Sequence, residues 1–150
     1  MTDFTDFSGN DAASTTESTF IDLDTSDARE PMCVEDGEYL IRVTGYRKDG
    51  DGNIIRTGST GNKYFIMAFD IPDEEFSKGF SKIFSLPTPD TEPKRLNMIK
   101  WDLDCLKRCF GMVDLDLNGF IGKTGYALVT KKNDPQYGEQ NEVKKFIVGA

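Results

Sequence analysis

The 150 residues carry a formal net charge of −8, no histidine and three cysteines, a length that suits one domain with a real core and is too short for two once a polar leader is set aside. No run approaches the roughly 20 apolar residues that span a bilayer, and residues 1–10 lack the basic start and apolar block of a signal peptide. Cys33, Cys105 and Cys109 are too few and too odd in number for a secreted disulfide framework, so the expectation is a soluble, cytoplasmic protein with reduced thiols.

Charge is unevenly placed. Residues 1–30 hold eight acids (Asp3, Asp6, Asp11, Glu17, Asp22, Asp24, Asp27 and Glu30) against Arg29 alone, a charge of −7 that leaves −1 for the rest. Residues 1–31 are otherwise Ser, Thr and scattered Phe4, Phe7, Phe20, Ile21 and Leu23, too little apolar surface to offset the entropy of ordering. The sequence therefore predicts a disordered acidic tail over residues 1–31 and a folded domain over residues 32–150. The tail reads either as a partner-docking or DNA-mimicking segment or as a solubilising leader.

From Gly37 the pattern alternates: Tyr39, Ile41 and Val43 face one way, and Leu40, Arg42, Thr44 and Tyr46 the other, which predicts a first strand. Residues 48–62 are dense in Gly, Asp, Asn, Ser and Thr and predict a long, mobile connection. A second strand over residues 63–71 sets Phe65, Met67, Phe69 and Ile71 against Tyr64, Ile66, Ala68 and Asp70. A third over residues 79–86 has open parity, with Phe80, Lys82, Phe84 and Leu86 opposing Ser81, Ile83 and Ser85 until Pro87 and Pro89 end it.

A helix is expected next, capped by Thr91 with Pro93 in its first turn. It carries Leu96, Ile99, Leu103 and Leu106 on one stripe and stops at Gly111, with Met98 and Trp101 read as widening that packing stripe. Residues 124–130 and 142–148 make two more strands. Three strands, a helix and two strands is the order of a mainly β, five-stranded OB-fold Greek-key barrel with one helix between strands 3 and 4. Such barrels mostly bind nucleic-acid strands or oligosaccharides.

Chemical motifs are weak. Residues 119–124 read Gly-Phe-Ile-Gly-Lys-Thr, but a P-loop needs glycine where Leu117 stands and must open a helix, whereas this run leads into a strand. Asp114, Asp116, Asn118 and Gly119 begin an EF-hand loop whose twelfth position is Gly125 instead of a bidentate glutamate, and Asp49, Asp51 and Asn53 read as a solvated turn. Cys105 and Cys109, one helical turn apart, have no second pair to complete a metal site. Without histidine there is no Ser-His or Cys-His pair, so neither an enzyme nor a cofactor is expected.

What survives is a set of cations interleaved with aromatics. Arg42 and Tyr46 on the first strand, Arg47, Lys48 and Arg56 around the connection, and Lys63 and Tyr64 opening the second strand belong to it, extended by Lys82, Lys131, Lys132 and Tyr137. Aromatic rings stack on any base while cations track phosphates, which suits single strands without sequence readout.

Residues 35–148 also resemble a known family in the order of their segments. The likeness is carried by Glu-Asp-Gly-Glu-Tyr at 35–39, the strand 61–71, Lys78-Gly79 leading into Lys82-Ile83-Phe84, the helix ending 106–111, Leu117 with Gly122-Lys123, and the run from Tyr137 to Phe146. Together they resemble a bacteriophage family catalogued as a domain of unknown function and regarded as OB-fold single-stranded-DNA-binding proteins. That resemblance implies a role in phage DNA replication or recombination inside the bacterial host, with single-stranded DNA and replication or recombination proteins as partners. The near-neutral body implies modest affinity that falls with salt. A competing reading is a protein-interaction adaptor on the same scaffold that binds no nucleic acid.

Overall fold

The computed structural model describes residues 18–148, so most of the expected tail lies outside the described residues. The elements run β1 (Gly37–Tyr46), β2 (Arg56–Thr57), β3 (Lys63–Asp70), β4 (Phe80–Leu86), α1 (Pro93–Phe110), α2 (Leu117–Phe120), β5 (Thr124–Asp134) and β6 (Gly138–Phe146). Every strand pairing is antiparallel, in one mainly β sheet ordered β2-β3-β1-β5-β6, with β4 on the other edge of β3. β4 and β6, the ends of the long-strand path, approach through stacked Phe84 and Phe146 rings 6.1 Å apart but do not pair. The sheet curls without closing a barrel.

Period-2 apolar residues drive this curl, because each strand buries one face. Ile41, Val43, Phe65, Met67, Phe69, Phe80, Phe84, Ala127 and Val129 line the inside, and α1 lays Ile99, Leu103, Leu106 and Phe110 across it. Phe69 sits within 5.6 Å of the Phe80 ring, 6.2 Å of Phe110 and 6.3 Å of Phe146, joining β3, β4, α1 and β6 in one aromatic cluster. Each such ring contributes about 1.5–3 kcal/mol by burial.

Several expectations are corrected. The connection over residues 48–62 contains β2, which returns onto β3 through a turn in which the Gly58 N–H donates to the Asn62 carbonyl at 2.8 Å. α1 begins at Pro93 after Glu92, and the Thr91 hydroxyl accepts from the Thr88 N–H at 2.8 Å instead of capping the helix. A second helical turn, α2, inserts the fully buried Phe120 before β5. The last two strands are longer toward each other than expected and meet at a tight tip over residues 135–137.

Residues 18–31 form neither strand nor helix, but contact with the body begins inside the expected tail: the Arg29 guanidinium lies 4.7 Å from the Phe76 ring centroid. Met32 then bridges to Ser77. Asn141, buried on β6, fastens the chain further by accepting from the Val34 N–H at 2.9 Å and donating to the Val34 carbonyl at 2.9 Å and the Thr130 carbonyl at 3.2 Å. No helix among the described residues is long and apolar enough to cross a membrane.

Candidate nucleic-acid interface

Strand parity and register decide which side chains reach the outer face of the sheet. With Phe65, Met67 and Phe69 buried, Tyr64, Ile66, Ala68 and Asp70 must point outward, and the register sets the first three beside Ser85, Ile83 and Ser81 of β4. Ile83 is 62% exposed and pairs with Ile66, an apolar rung on a surface strand that burial does not explain. Above it Tyr64 is flanked on both sides. Arg56, its cross-strand partner on β2, holds its guanidinium 5.6 Å from the Tyr64 ring centroid, and Arg95 from the first turn of α1 donates to the Ser85 hydroxyl at 3.1 Å.

The neighbouring cations complete this end. Lys63 donates to the Thr57 hydroxyl at 2.9 Å, and the Arg47 carbonyl accepts from Arg56 at 3.4 Å while its own N–H donates to the Ile66 carbonyl at 2.9 Å. Lys48 is exposed beside Arg47. None of Arg47, Lys48, Arg56, Lys63 and Arg95 forms an ion pair among the described residues. The Arg56 Nε is buried without a hydrogen-bond partner among the described residues, so its guanidinium has donor capacity left over. Of the two acids of this loop, Asp51 is exposed, whereas Asp49 is tied into the loop itself: it accepts from the N–H groups of Asn53 and Asp51 at 2.8 and 2.9 Å, which with Arg56 nearby holds its carboxyl below the usual range.

Other expected residues do different work. Tyr46 belongs to the interior: a β-bulge between Val43 and Gly45 inserts one residue and reverses parity, placing Tyr46 opposite buried Met67 instead of beside Arg42 on the outside. Its ring meets Phe65 edge-on at 5.9 Å, its hydroxyl donates to the Leu117 carbonyl, and burial, with the Asp116 charge adding, holds the phenol well above its usual pKa. Lys82 lies opposite Met67 and between buried Phe80 and Phe84, so it too is on the inner side, with its ammonium 5.5 Å from the Phe84 ring centroid.

Arg42 is outward but committed to Asp70, its cross-strand partner, in a bidentate pair whose Nε–Oδ1 arm is 3.0 Å, and that hydrogen bond raises the guanidinium pKa. Lys131 donates to Glu35 and lies 3.7 Å from Glu139, contacts that raise its pKa, Glu35 foremost. Lys132 pairs with Glu142 at 3.1 Å, and Tyr137 stands exposed at the hairpin tip. No hydrogen bond, ion pair or ring contact among the described residues links these hairpin positions to the Tyr64 group.

Sequence reasoning missed Ile83, Arg95 and Tyr126, the last 52% exposed on the outer face of β5 beside Leu40. Fixing the parity of β4 from Phe80 and Phe84 as core would have exposed Ile83; Arg95 depends on where α1 starts. Among the described residues no group of three or more Cys, Asp and Glu is arranged to hold a metal ion. No family model matches the chain, and a comparison with curated proteins returns no match.

Proposed function

We propose that this chain is a non-catalytic single-stranded-DNA-binding protein, largely indifferent to sequence, serving phage DNA replication or recombination. The observation that carries the reading is the Arg56–Tyr64 stack beside the Ile66–Ile83 rung, rimmed by Arg47, Lys48, Lys63 and Arg95. A base stacked on Tyr64 gains about 1–3 kcal/mol, while the unpaired cations meet the phosphates on either side. The order of the five long strands, with α1 between β4 and β5, supports an OB-type arrangement left open at the β4–β6 seam, and OB-folds bind strands on the face that β3 and β4 present here. The segment before residue 32 is read as an acidic tail appended to this domain.

A Lys63→Ala/Tyr64→Ala double variant tests the reading. Loss of oligo-dT affinity by at least about tenfold supports it; unchanged affinity removes the site.

One observation favours an adaptor role instead. A cleft of about 870 Å³ between the incoming segment and the 73–77 turn combines exposed Met32 and Phe76 with Glu30, Asp73, Glu74 and Glu75 against the single cation Arg29, which lies over Phe76; the excess of acids suits a basic protein segment and repels nucleic acid. Isothermal titration with an oligolysine peptide decides it: heat lost in a Glu74→Gln/Glu75→Gln variant supports the adaptor.

A further inference from the structure

Among the described residues β4 pairs only with β3 and β6 only with β5, so each presents one edge without a strand partner there. Unpaired edges invite an added strand. Between them lies a cavity of about 310 Å³ with Phe146 at its base, Lys82, Lys144 and Lys145 around it, and Trp101 and Cys105 of α1 as its roof. Asp102 is the single acid in the lining. The chain also carries a segment of matching character. Phe20, Ile21 and Leu23 are 80, 79 and 71% exposed, interleaved with Asp22 and Asp24 in an irregular stretch.

We propose that residues 20–24 of one copy of this chain dock into the β4–β6 seam of a second copy, so that two copies exchange segments. Opposite charge and apolar content fit the two surfaces to each other: the aspartates meet Lys82, Lys144 and Lys145, and the apolar side chains cover Trp101 and Phe146. Five extended residues span about 17 Å, the run of a typical strand. A second copy is the occupant because Phe20, Ile21 and Leu23 stay exposed and pack against nothing in their own copy's described residues. The turn at Thr25–Ala28, held by the Ala28 N–H on the Thr25 carbonyl at 3.1 Å, precedes the Arg29–Phe76 anchor, and beyond it the apolar side chains stay in solvent. Reciprocal exchange gives an isologous, closed dimer. The contact uses none of the Tyr64 face, so it stands or falls apart from the DNA-binding reading.

Sedimentation velocity on the full chain over a concentration series, with Trp101 fluorescence read in parallel, tests this. Trp101 is the chain's single tryptophan and lines the seam, so its emission reports on that wall of α1. The expected result is a monomer–dimer equilibrium, weakened by salt, in which Trp101 becomes less accessible to acrylamide as dimer forms. Ile21→Ser/Leu23→Ser and Lys144→Glu/Lys145→Glu each raise the dissociation constant about tenfold or more. Adding Asp22→Lys/Asp24→Lys to the lysine variant restores association. All these positions are exposed, so the fold is retained. A monomer at every concentration overturns the proposal, as does association that none of these variants changes. Trp101 protection that is independent of concentration but lost in Ile21→Ser/Leu23→Ser assigns the segment to its own seam and overturns the exchange.

Discussion

Arg56 and Tyr64 are cross-strand partners on β2 and β3, and the guanidinium of one lies 5.6 Å from the ring centroid of the other. The stack presents one flat surface beside Ile83, with both members already held in place. Tyr64→Ala is expected to weaken oligo-dT binding by roughly 5- to 150-fold, the equivalent of about 1–3 kcal/mol, while Tyr64→Phe keeps most of it. Fluorescence anisotropy at fixed salt measures both. Equal losses in the two variants would assign the effect to the hydroxyl and not to stacking.

Ile83 is the sharper test of the face. Ile83→Ser removes apolar surface from a position that is 62% exposed, so stability should change little while DNA affinity falls. A thermal melt and an anisotropy titration on the same sample separate the two. A large drop in Tm with intact binding would make Ile83 a structural residue.

Tyr46 should behave as a core residue. Tyr46→Phe strips the donor from the Leu117 carbonyl and is expected to cost about 0.5–1.5 kcal/mol in urea unfolding with no change in DNA affinity. Burial holds the native phenol above its usual value, so the native state keeps its proton where the unfolded chain has lost it. The stability this proton contributes is full below the ordinary tyrosine pKa of about 10 and declines as pH rises beyond it. Tyr46→Phe should flatten that decline.

Cys109 should be slow toward thiol reagents. Burial pushes its thiol up to about 11, although the Ile147 backbone N–H partly offsets this, and its Sγ donates to the Tyr126 carbonyl at 3.3 Å. At neutral pH its thiolate fraction is about two orders of magnitude below that of a free cysteine. Single-cysteine variants reacted with a chromogenic disulfide measure this. The same contact explains Gly125, where an added Cβ would lie 2.6 Å from the Cys109 carbonyl oxygen and 2.8 Å from its Sγ. Gly125→Ala is expected to cost roughly 1–3 kcal/mol and to speed Cys109 labelling as α1 and β5 part.

Much of the architecture was legible because apolar alternation and helical spacing are local. The first and second strands, the helix stripe through Ile99, Leu103 and Leu106, and the Gly111 stop follow from residues close in sequence. What was hidden depended on distant contacts. A one-residue bulge after Val43 sends Tyr46 inward, and no pattern within β1 announces it. Trp101 was expected to pack, yet it stands two positions from both Ile99 and Leu103, about 200° around the axis, and is 60% exposed. Lys131 and Lys132 looked free until folding brought Glu35, Glu139 and Glu142 to them. Residues 1–17, the greater part of the expected tail, lie outside the described residues.

Single-strand binding is measured directly by titrating the full chain into a labelled oligo-dT of about 30 nucleotides, long enough for the roughly 4–16 that an OB-fold covers, at low and high salt with a matching duplex as control. The expected result is saturable binding to the single strand at low salt, a marked loss at high salt and little binding to the duplex. No binding to the single strand at low salt, or equal binding to the duplex, would overturn the single-strand-binding role.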